Sequence, residues 1–249
     1  MSVLNGRVAI VTGGGGGIGE RYCRGLAAEG AKVVVADIVE AGARRVASEI
    51  GGMECCVDVA DETSVQAMVA ATMAAYGRID VLINNAAVFA QLVSPRKNFD
   101  DIAVDEWDRV MAVNVRGTWL CCKAVAPVMR RQRGGVIINI SSGTIFGGQT
   151  GFAHYVTSKA AVWGMAHVLA RELGDFGVRV NSITPGLTSS EVVLEAYGAE
   201  ALKLNAQRRI LKREQLPEDL VGTVVFLCSD ASAFITGQTF NVDGGTYLH

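Results

Sequence analysis

The feature that most constrains this chain is a run of five consecutive glycines, Gly13–Gly17, followed by Ile18 and Gly19. An apolar, β-branched segment, Arg7–Thr12, precedes the run, and an amphipathic segment, Ile18–Glu29, follows it. Five glycines would destabilise a helix interior, but they suit a turn between a strand and a helix where backbone approaches a phosphate closely. The position predicts a dinucleotide-binding loop, with a purely structural turn as the alternative.

The rest of the chain continues this alternation of short apolar and longer amphipathic segments, which is typical of a parallel sheet covered by helices on both faces. Seven strands buried on both faces are predicted at Arg7–Thr12, Lys32–Asp37, Glu54–Asp58, Asp80–Asn84, Val136–Ile140, Val178–Thr184 and Thr239–Val242. Helices are predicted at Ile18–Glu29, Glu40–Ile50, Glu62–Tyr76, Val104–Arg131, Ala153–Phe176 and Pro217–Leu227. The fold class is therefore α/β, a doubly wound sheet whose ligand lies beyond the carboxyl ends of the strands.

The organisation along the chain is uniform, because no linker, repeat or charge block interrupts the alternation. Residues 1–249 are predicted to form a single domain. The least regular part, about 186–216, is predicted to be a substrate-facing loop with short helices of its own. The 88–107 segment is interpreted as an ordinary solvated loop, with an overhang at the substrate mouth as the alternative.

Composition excludes several classes of protein. The formal net charge is −2, so no overall positive field attracts nucleic acid or anionic lipid. Six cysteines without a C-x-x-C spacing indicate free thiols in a reducing compartment. The sequence shows neither a secretory leader nor an apolar run long enough to span a bilayer, so a cytoplasmic location is expected.

Asp37 ends the second predicted strand, where a carboxylate accepts hydrogen bonds from the ribose hydroxyls of an adenosine. Its charge also repels a 2′-phosphate, and Ile38 follows it instead of an arginine or lysine. NAD is therefore favoured over NADP as the cofactor. The alternative role for Asp37 is to cap the helix that begins near Glu40.

Tyr155 and Lys159 stand four residues apart on a predicted helix, so both side chains project from one face. A nearby cation lowers the pKa of a tyrosine, which is otherwise too high for a base near neutral pH. By itself this spacing is common on helices. Ser142, after the fifth strand, and Asn114, a polar residue inside an apolar helix, supply the context, because the sheet brings all four towards one end.

With these motifs the chain resembles the short-chain dehydrogenase/reductase family over essentially its whole length. This family comprises NAD(P)-dependent oxidoreductases with a one-domain Rossmann-type fold. The motifs that carry the resemblance are Thr12-Gly-x-x-x-Gly17-x-Gly19, Asp58-Val59, Asn84-Asn85-Ala86, Asn114, Ser142, Tyr155-x-x-x-Lys159 and Pro185-Gly186.

The resemblance implies four catalytic residues. Tyr155 would exchange a proton with the substrate oxygen, and Lys159 would lower the pKa of Tyr155 and bind the nicotinamide ribose. Ser142 would orient the substrate oxygen; it matches the family serine because it precedes Tyr155 by 13 residues, whereas Ser141 is interpreted as structural. Asn114 would hold a water in a proton relay, with a satisfied polar helix residue as the alternative.

The resemblance also implies the cofactor contacts. Asp58 would bind the adenine amino group with Val59 beside the ring, and Asn85 and Ala86 would line the adenosine ribose. The expected cofactor residues are Gly13, Gly17, Ile18, Gly19, Asp37, Asp58, Val59, Asn85, Ala86, Tyr155, Lys159, Pro185, Gly186, Thr188 and Ser190. His154 lacks partners at metal-ligand spacing, so no metal is expected.

The expected substrate is a small, hydrophobic secondary alcohol or ketone, aromatic, alicyclic or of medium chain length. An apolar pocket is predicted from Ile145, Phe146, Phe152, Val192, Val193, Leu194, Tyr197 and Leu202. The basic residues Arg208, Arg209, Lys212 and Arg213 are interpreted as a solvated helix face, with steering of an anionic substrate as the alternative. A 3-oxoacyl thioester reductase and a non-catalytic dinucleotide sensor are the alternative functions, and the resemblance implies a homotetramer.

Overall fold

The computed structural model describes residues 2–89 and 96–248. The strands are β1 (Val8–Thr12), β2 (Lys32–Asp37), β3 (Met53–Cys56), β4 (Val81–Asn84), β5 (Gly135–Ile140), β6 (Val178–Pro185) and β7 (Thr239–Val242). The helices are α1 (Gly17–Ala28), α2 (Glu40–Ile50), α3 (Glu62–Tyr76), α4 (Val104–Met111), α5 (Thr118–Gln132), α6 (Thr144–Gly147), α7 (Ala153–Gly174), α8 (Glu191–Ala206) and α9 (Glu218–Cys228). Short 3₁₀ helices lie at Phe99–Asp101 and Asp230–Ser232.

The strands form one parallel sheet in the order β3-β2-β1-β4-β5-β6-β7, which confirms the predicted Rossmann-type fold. Successive residues of β1 point to opposite faces: Val11 packs with α1, α2 and α9, whereas Ile10 packs with α3, α5 and α7. The strand order reverses between β1 and β4, so the loops after these strands diverge. A crevice opens at their carboxyl ends.

The two edge strands differ from the prediction that all seven strands are buried on both faces. Residues of β3 alternate between half-buried and exposed, and those of β7 are all half-buried. Each of these strands has only one neighbour in the sheet, so helices and loops cover it incompletely. In addition, β3 ends at Cys56, two residues earlier than predicted, and leaves Asp58 in the loop.

The helix predicted over Val104–Arg131 is continuous but not uniform. A π-helical stretch, Ala112–Gly117, separates α4 from α5. Asn114 lies in this stretch, and its side chain hydrogen-bonds the backbone of Val88 in the loop after β4. Such wide turns are frequent at functional sites because they re-aim a side chain.

The irregular segment at 186–216 contains two short helices that meet at Gly198 and are counted together as α8, which agrees with the expectation of short helices there. Ser190 caps its N-terminus, and Gly198 breaks it with φ 74° and ψ 157°. The segment leaves the carboxyl end of β6 and passes over the crevice side of the sheet, where its first residues line the cleft described below.

Candidate active site

A cleft of about 890 Å³ lies at the carboxyl ends of the strands. Every residue predicted to contact the cofactor lines it, and so does Ser142. Asn114 is the exception: its side chain is buried behind the wall of the cleft. Within the described residues, therefore, the fold brings motifs from all parts of the sequence to one cavity.

The glycine loop is shaped for close approach. Gly13 has φ +64°, and a Cβ there would lie 2.9 Å from Cα of Ala86; a Cβ on Gly19 would lie 2.0 Å from the Gly13 carbonyl oxygen. In contrast, a Cβ on Gly16 or Gly17 would meet no protein atom within 4 Å, and both residues line the cleft. Bare backbone at the N-terminus of α1 thus borders the cavity, an arrangement that fits a pyrophosphate.

Asp37 holds the glycine loop against the end of β2. Its carboxylate oxygens accept hydrogen bonds from the backbone N–H groups of Gly15 and Val39, each at 2.9 Å. The alternative of a helix cap is wrong, because Val39 occupies the cap position of α2 and no side chain caps that helix. Asp37 lines the cleft, so its charge faces whatever occupies the adenosine end.

Arg45 is a basic residue near this end that the sequence analysis missed. Its guanidinium donates a 3.3 Å hydrogen bond to the Gly15 carbonyl and a 2.5 Å bond to the Glu20 carboxylate. Hydrogen bonds from Arg45 and Arg24 hold the pKa of Glu20 at about 2 despite partial burial. Glu20 therefore stays ionised and neutralises the cation beside the glycine loop.

Asn85 fixes the loop instead of offering its amide to a ligand. The side-chain N–H₂ group donates to the carbonyls of Thr12, at 3.0 Å, and Gly13, at 3.1 Å. Asp58 is exposed at the cleft and accepts a bond from the Ala60 N–H at 2.8 Å. The expected contact of Asp58 with adenine remains a prediction.

Lys159 and Tyr155 both lie buried on α7. The Lys159 ammonium donates a 2.8 Å hydrogen bond to the Ile140 carbonyl at the end of β5, and it lies 5.7 Å from the centroid of the Tyr155 ring. Burial lowers the pKa of Lys159 to about 8. Ser141 anchors this part of α7 by donating a 2.8 Å bond to the Lys159 carbonyl, which is a structural role.

The protonation of Tyr155 differs from the expectation. Burial raises the pKa of Tyr155 above its usual range, and a hydrogen bond with Ser142 opposes that rise. The lowering expected from Lys159 is not the dominant effect, because the ammonium is engaged with the Ile140 carbonyl and the phenol is buried. The phenol is therefore protonated near neutral pH, the form that donates a proton.

Ser142 is arranged as a donor. Its oxygen accepts hydrogen bonds from the backbone N–H of Thr144, at 3.2 Å, and from the Thr144 hydroxyl, at 3.0 Å. With the acceptor sites of the oxygen occupied, the Ser142 proton is available to a group in the cleft.

Asn114 connects the loop after β4 to α7. Its side-chain oxygen accepts from the Val88 N–H at 2.8 Å, and its amide donates to the Val88 carbonyl at 3.3 Å and to the Ser158 hydroxyl at 3.0 Å. Ser158 in turn donates to the Tyr155 carbonyl at 2.7 Å. These contacts agree with the alternative of a satisfied polar residue that positions the catalytic helix; the water relay remains a prediction.

A buried arginine holds the segment after β6 through hydrogen bonds to its backbone. Arg209 is 2% exposed and donates to the carbonyls of Leu187, at 2.5 Å, and Arg213, at 2.9 Å. The interpretation of this basic run as a helix face is wrong for Arg209, because α8 ends at Ala206 and the chain turns inward. Arg213 pairs with Asp219 and does not face a substrate.

Thr188 and Ser190 line the cleft, yet their hydroxyls have local partners. Thr188 donates to the Gly186 carbonyl at 3.1 Å, and the Ser190 oxygen accepts from the Val193 N–H at 3.4 Å as the cap of α8. Their expected contacts with the nicotinamide end remain predictions.

Aromatic rings surround Tyr155 at the substrate end. The ring of Phe89 lies 4.8 Å from that of Tyr155 and 6.3 Å from that of Tyr197, and Phe152 lies 6.5 Å from Tyr155, measured between centroids. Val192 and Val193 also line the cleft, as expected. Among the residues expected there, Ile145, Phe146, Leu194 and Leu202 do not line it.

The sequence analysis also missed Tyr247, from the C-terminal tail, which lines the cleft. The Asp243 carboxylate fixes this tail by accepting hydrogen bonds from the backbone N–H groups of residues 245, 246 and 247. A Cβ on Gly147 would lie 2.2 Å from the Tyr247 hydroxyl, so any larger residue there would require the Tyr247 ring to move. Only the glycine pair before the tail hinted at such a turn.

His154 is buried, and its Nε2 lies 3.1 Å from a carboxylate oxygen of Glu106 on α4. Lys97 pairs with the other oxygen of Glu106. In ranges 2–89 and 96–248 no cluster of three His, Cys, Asp or Glu side chains is arranged to hold a metal. Over the same ranges, no helix has both the length and the apolar character needed to cross a membrane.

Known proteins resemble this chain along most of its length. The family described as Enoyl-(Acyl carrier protein) reductase matches residues 13–247. An uncharacterised oxidoreductase of Mycobacterium tuberculosis is 42% identical over 254 residues, which cover 99% of each chain. A 3-oxoacyl-(acyl-carrier-protein) reductase of Synechocystis is 39% identical, with all of both chains covered. The crystal structure of a 3-ketoacyl-(acyl-carrier-protein) reductase from Brucella melitensis complexed with NADH superposes with a TM-score of 0.91 at 31% identity, covering 98% of this chain and 100% of that one.

Proposed function

Because the chain belongs to the short-chain dehydrogenase/reductase family, we propose that it is an NAD-dependent oxidoreductase interconverting a secondary alcohol and a ketone. The observation that carries the proposal is that buried Tyr155, Lys159 and Ser142 all line one cleft, which begins at the glycine loop. The whole chain acts as one catalytic domain in this proposal. Its small-molecule substrate binds between α7 and α8.

The residues divide the chemistry among them. The nicotinamide would supply or accept the hydride. Ser142 donates a hydrogen bond that orients the substrate oxygen, and Tyr155 passes a proton to a ketone oxygen or takes one from an alcohol. Lys159, partly protonated because burial lowers its pKa to about 8, supplies positive charge beside the phenol. The raised pKa of Tyr155 keeps the phenol protonated near neutral pH, which is the form that donates to a ketone oxygen.

The preference for NAD rests on charge at the adenosine end. Asp37 presents a carboxylate to the cleft, and Ile38 and Val39 beside it are apolar and exposed. Among the described residues, Arg45 is the one further cation near the adenosine end, and it is paired with Glu20. A 2′-phosphate at this end would meet a negative charge without an available counter-ion.

A 3-oxoacyl thioester reductase is the second candidate. It is favoured by the names of the Synechocystis relative and the Brucella structure. The Brucella protein is complexed with NADH. A preference for NAD is therefore not a strong argument against a 3-oxoacyl thioester reductase. The two candidates differ in whether the acyl group must be carried as a thioester.

The test is to follow NADH absorbance with NAD, and separately NADP, across aromatic, alicyclic, polyol and 3-hydroxyacyl thioester alcohols, and the reverse reaction with the matching ketones. The proposal predicts NAD-linked turnover of free hydrophobic alcohols. Turnover of thioesters alone would favour the second candidate, and turnover of small polyols alone would contradict the hydrophobic pocket. NADH binding without any turnover would favour the non-catalytic sensor.

We further propose a homotetramer in which α5 and α7 pair with their symmetry mates, while the C-terminal strand region forms another interface. In support, Trp119 and Trp163 on these helices are 45% and 38% exposed, and a groove of about 790 Å³ is lined by Trp119, Met111 and Met165. Light scattering tests this, and a monomer would contradict it. All six cysteines are free, which is compatible with the cytoplasmic location that we propose.

A further inference from the structure

Arg96 places a positive charge against two aromatic rings that line the substrate end of the cleft, although Arg96 itself does not line it. Its guanidinium carbon lies 5.0 Å from the centroid of the Phe152 ring and 5.6 Å from that of Tyr197. No carboxylate in the described ranges lies within 4 Å of this guanidinium. The two aromatic faces attract the cation without neutralising its charge.

The stem of Arg96 is packed against Gly151, just before α7. A Cβ on Gly151 would lie 3.0 Å from Cβ and 3.2 Å from Cδ of Arg96, so the glycine leaves the room that this stem occupies. Next to it, Lys97 pairs with Glu106, which contacts His154 on α7. Both residues therefore connect this part of the chain to the start of α7, the helix that carries Tyr155.

One aromatic ring separates the cation from the reacting end. Phe152 lies close to both Arg96 and Tyr155: its ring centroid is 5.0 Å from the guanidinium carbon and 6.5 Å from the centroid of the Tyr155 ring. Phe152 is 1% exposed, and Phe89 and Tyr197 extend the same apolar wall. A substrate with its carbonyl at Tyr155 would lay its carbon skeleton along these rings and bring its far end to Arg96.

We propose that the substrate is an oxo or hydroxy compound that carries an anionic group, a carboxylate or a phosphate, at the far end of an apolar skeleton, and that Arg96 binds this group. The inference rests on the proposed function and narrows its substrate class. A guanidinium recognises either anion through paired hydrogen bonds. Because Arg96 is exposed, water screens the pair, and the expected gain is moderate.

Arg109 is the matched control. Like Arg96, it is exposed and has no carboxylate partner among the described residues. Unlike Arg96, it lines the cleft itself and makes no contact with an aromatic ring among those residues. If the cleft attracts anions only through its general charge, the two arginines should act alike.

The experiment compares ketones of similar size: para-acetylbenzoate, its methyl ester and para-acetylphenyl phosphate. In the wild type we expect kcat/KM to be about tenfold higher for the better anion than for the ester. Arg96→Met should abolish that preference and leave the ester unchanged, Arg96→Lys should keep part of it, and Arg109→Met should keep it in full. The anion with the higher kcat/KM identifies whether the natural substrate carries a carboxylate or a phosphate. Melting temperatures check that each variant folds.

Equal turnover of ester and anions by the wild type would overturn the inference while leaving the proposed function intact. So would loss of the preference in Arg109→Met but not in Arg96→Met. Binding of the anions to the NADH-loaded protein, measured by calorimetry, separates the two proposals. Arg96-dependent binding without turnover supports this inference and contradicts the proposed function, whereas absence of both binding and turnover contradicts both.

Discussion

The two ends of the cleft are held in different ways. At the adenosine end, backbone and paired charges set the shape: Asp37 bonds two backbone N–H groups, Asn85 bonds two carbonyls, and Arg45 is neutralised by Glu20. At the substrate end, ring contacts around Phe152 dominate, and the charge of Arg96 has no ionic partner among the described residues. The adenosine end suits a cofactor that backbone groups can recognise. The substrate end suits a substrate whose specificity is set by side chains.

Substituting single glycines is the strongest way to break the adenosine end. Gly19→Ala would place a Cβ 2.0 Å from the Gly13 carbonyl, so the loop or α1 must shift. We expect a loss of about 1–3 kcal/mol of stability and a melting temperature lower by about 5 °C. Gly16→Ala adds a methyl group that meets no protein atom, so the melting temperature should stay within about 1 °C.

The same Gly16→Ala variant should nevertheless bind NADH about tenfold more weakly, because the methyl group narrows the space where a phosphate would approach. Fluorescence titration measures this. Unchanged affinity in Gly16→Ala would mean that the bare backbone here does not face the cofactor.

The next largest effect is expected from changing the charge at Asp37, at the adenosine end of the cleft. Asp37→Asn removes the negative charge and keeps an oxygen acceptor for only one of the two N–H groups, because Gly15 and Val39 bond different oxygens of Asp37. Adding Ile38→Arg supplies a cation. We expect the ratio of kcat/KM for NADP over NAD to rise about tenfold in the single variant and about a hundredfold in the double variant. A ratio that stays constant in both variants would show that the phosphate is discriminated elsewhere.

Lys159 lies where the two ends of the cleft meet. Its buried ammonium leads us to expect that the free energy of unfolding depends on pH. Burial lowers its pKa from 10.5 to about 8, so between these values the unfolded chain holds a proton that the folded chain has released. Stability from this group therefore rises with pH across that window, by up to about 3 kcal/mol. Urea unfolding of the wild type and Lys159→Met isolates the contribution, because the other titrating groups are shared; parallel pH curves would contradict it.

The smallest expected effect concerns Glu20. Glu20→Gln removes the nearer of the two carboxylates that pair with Arg45 and leaves Glu49 at 3.6 Å; the guanidinium lies beside the Gly15 carbonyl. We expect the NADP-over-NAD ratio to rise about threefold, because an exposed cation is screened by water. Arg24→Gln, which changes the same ion-pair cluster without freeing Arg45, serves as the control and should leave the ratio unchanged.

The comparison also explains what a sequence can predict. The adenosine end is formed by residues adjacent to strand ends, such as Gly13 and Asp37, and backbone rules fix where those lie. The substrate end joins Phe89 and Arg96, which are close in the sequence, to Phe152 and Tyr197 much further along the chain, and no local pattern links the two pairs. The burial of Arg209 was also not predictable, because nothing in a run of polar residues indicates which basic side chain packs inside the protein.

The state of Tyr155 was unpredictable for a related reason. The spacing to Lys159 places a cation near the phenol, but burial and the carbonyl partner of the ammonium are tertiary features. The same holds for Asn114, whose partners Val88 and Ser158 come from other elements.

The most direct test of the account is Tyr155→Phe, with Tyr197→Phe as the matched control that alters another tyrosine of the cleft. Turnover and NADH binding are measured on the same samples. We predict that Tyr155→Phe loses at least about a thousandfold in kcat and binds NADH as the wild type does, whereas Tyr197→Phe keeps most of its turnover. Retention of more than a few per cent of activity in Tyr155→Phe would contradict the central claim that this phenol is the acid and base of the reaction.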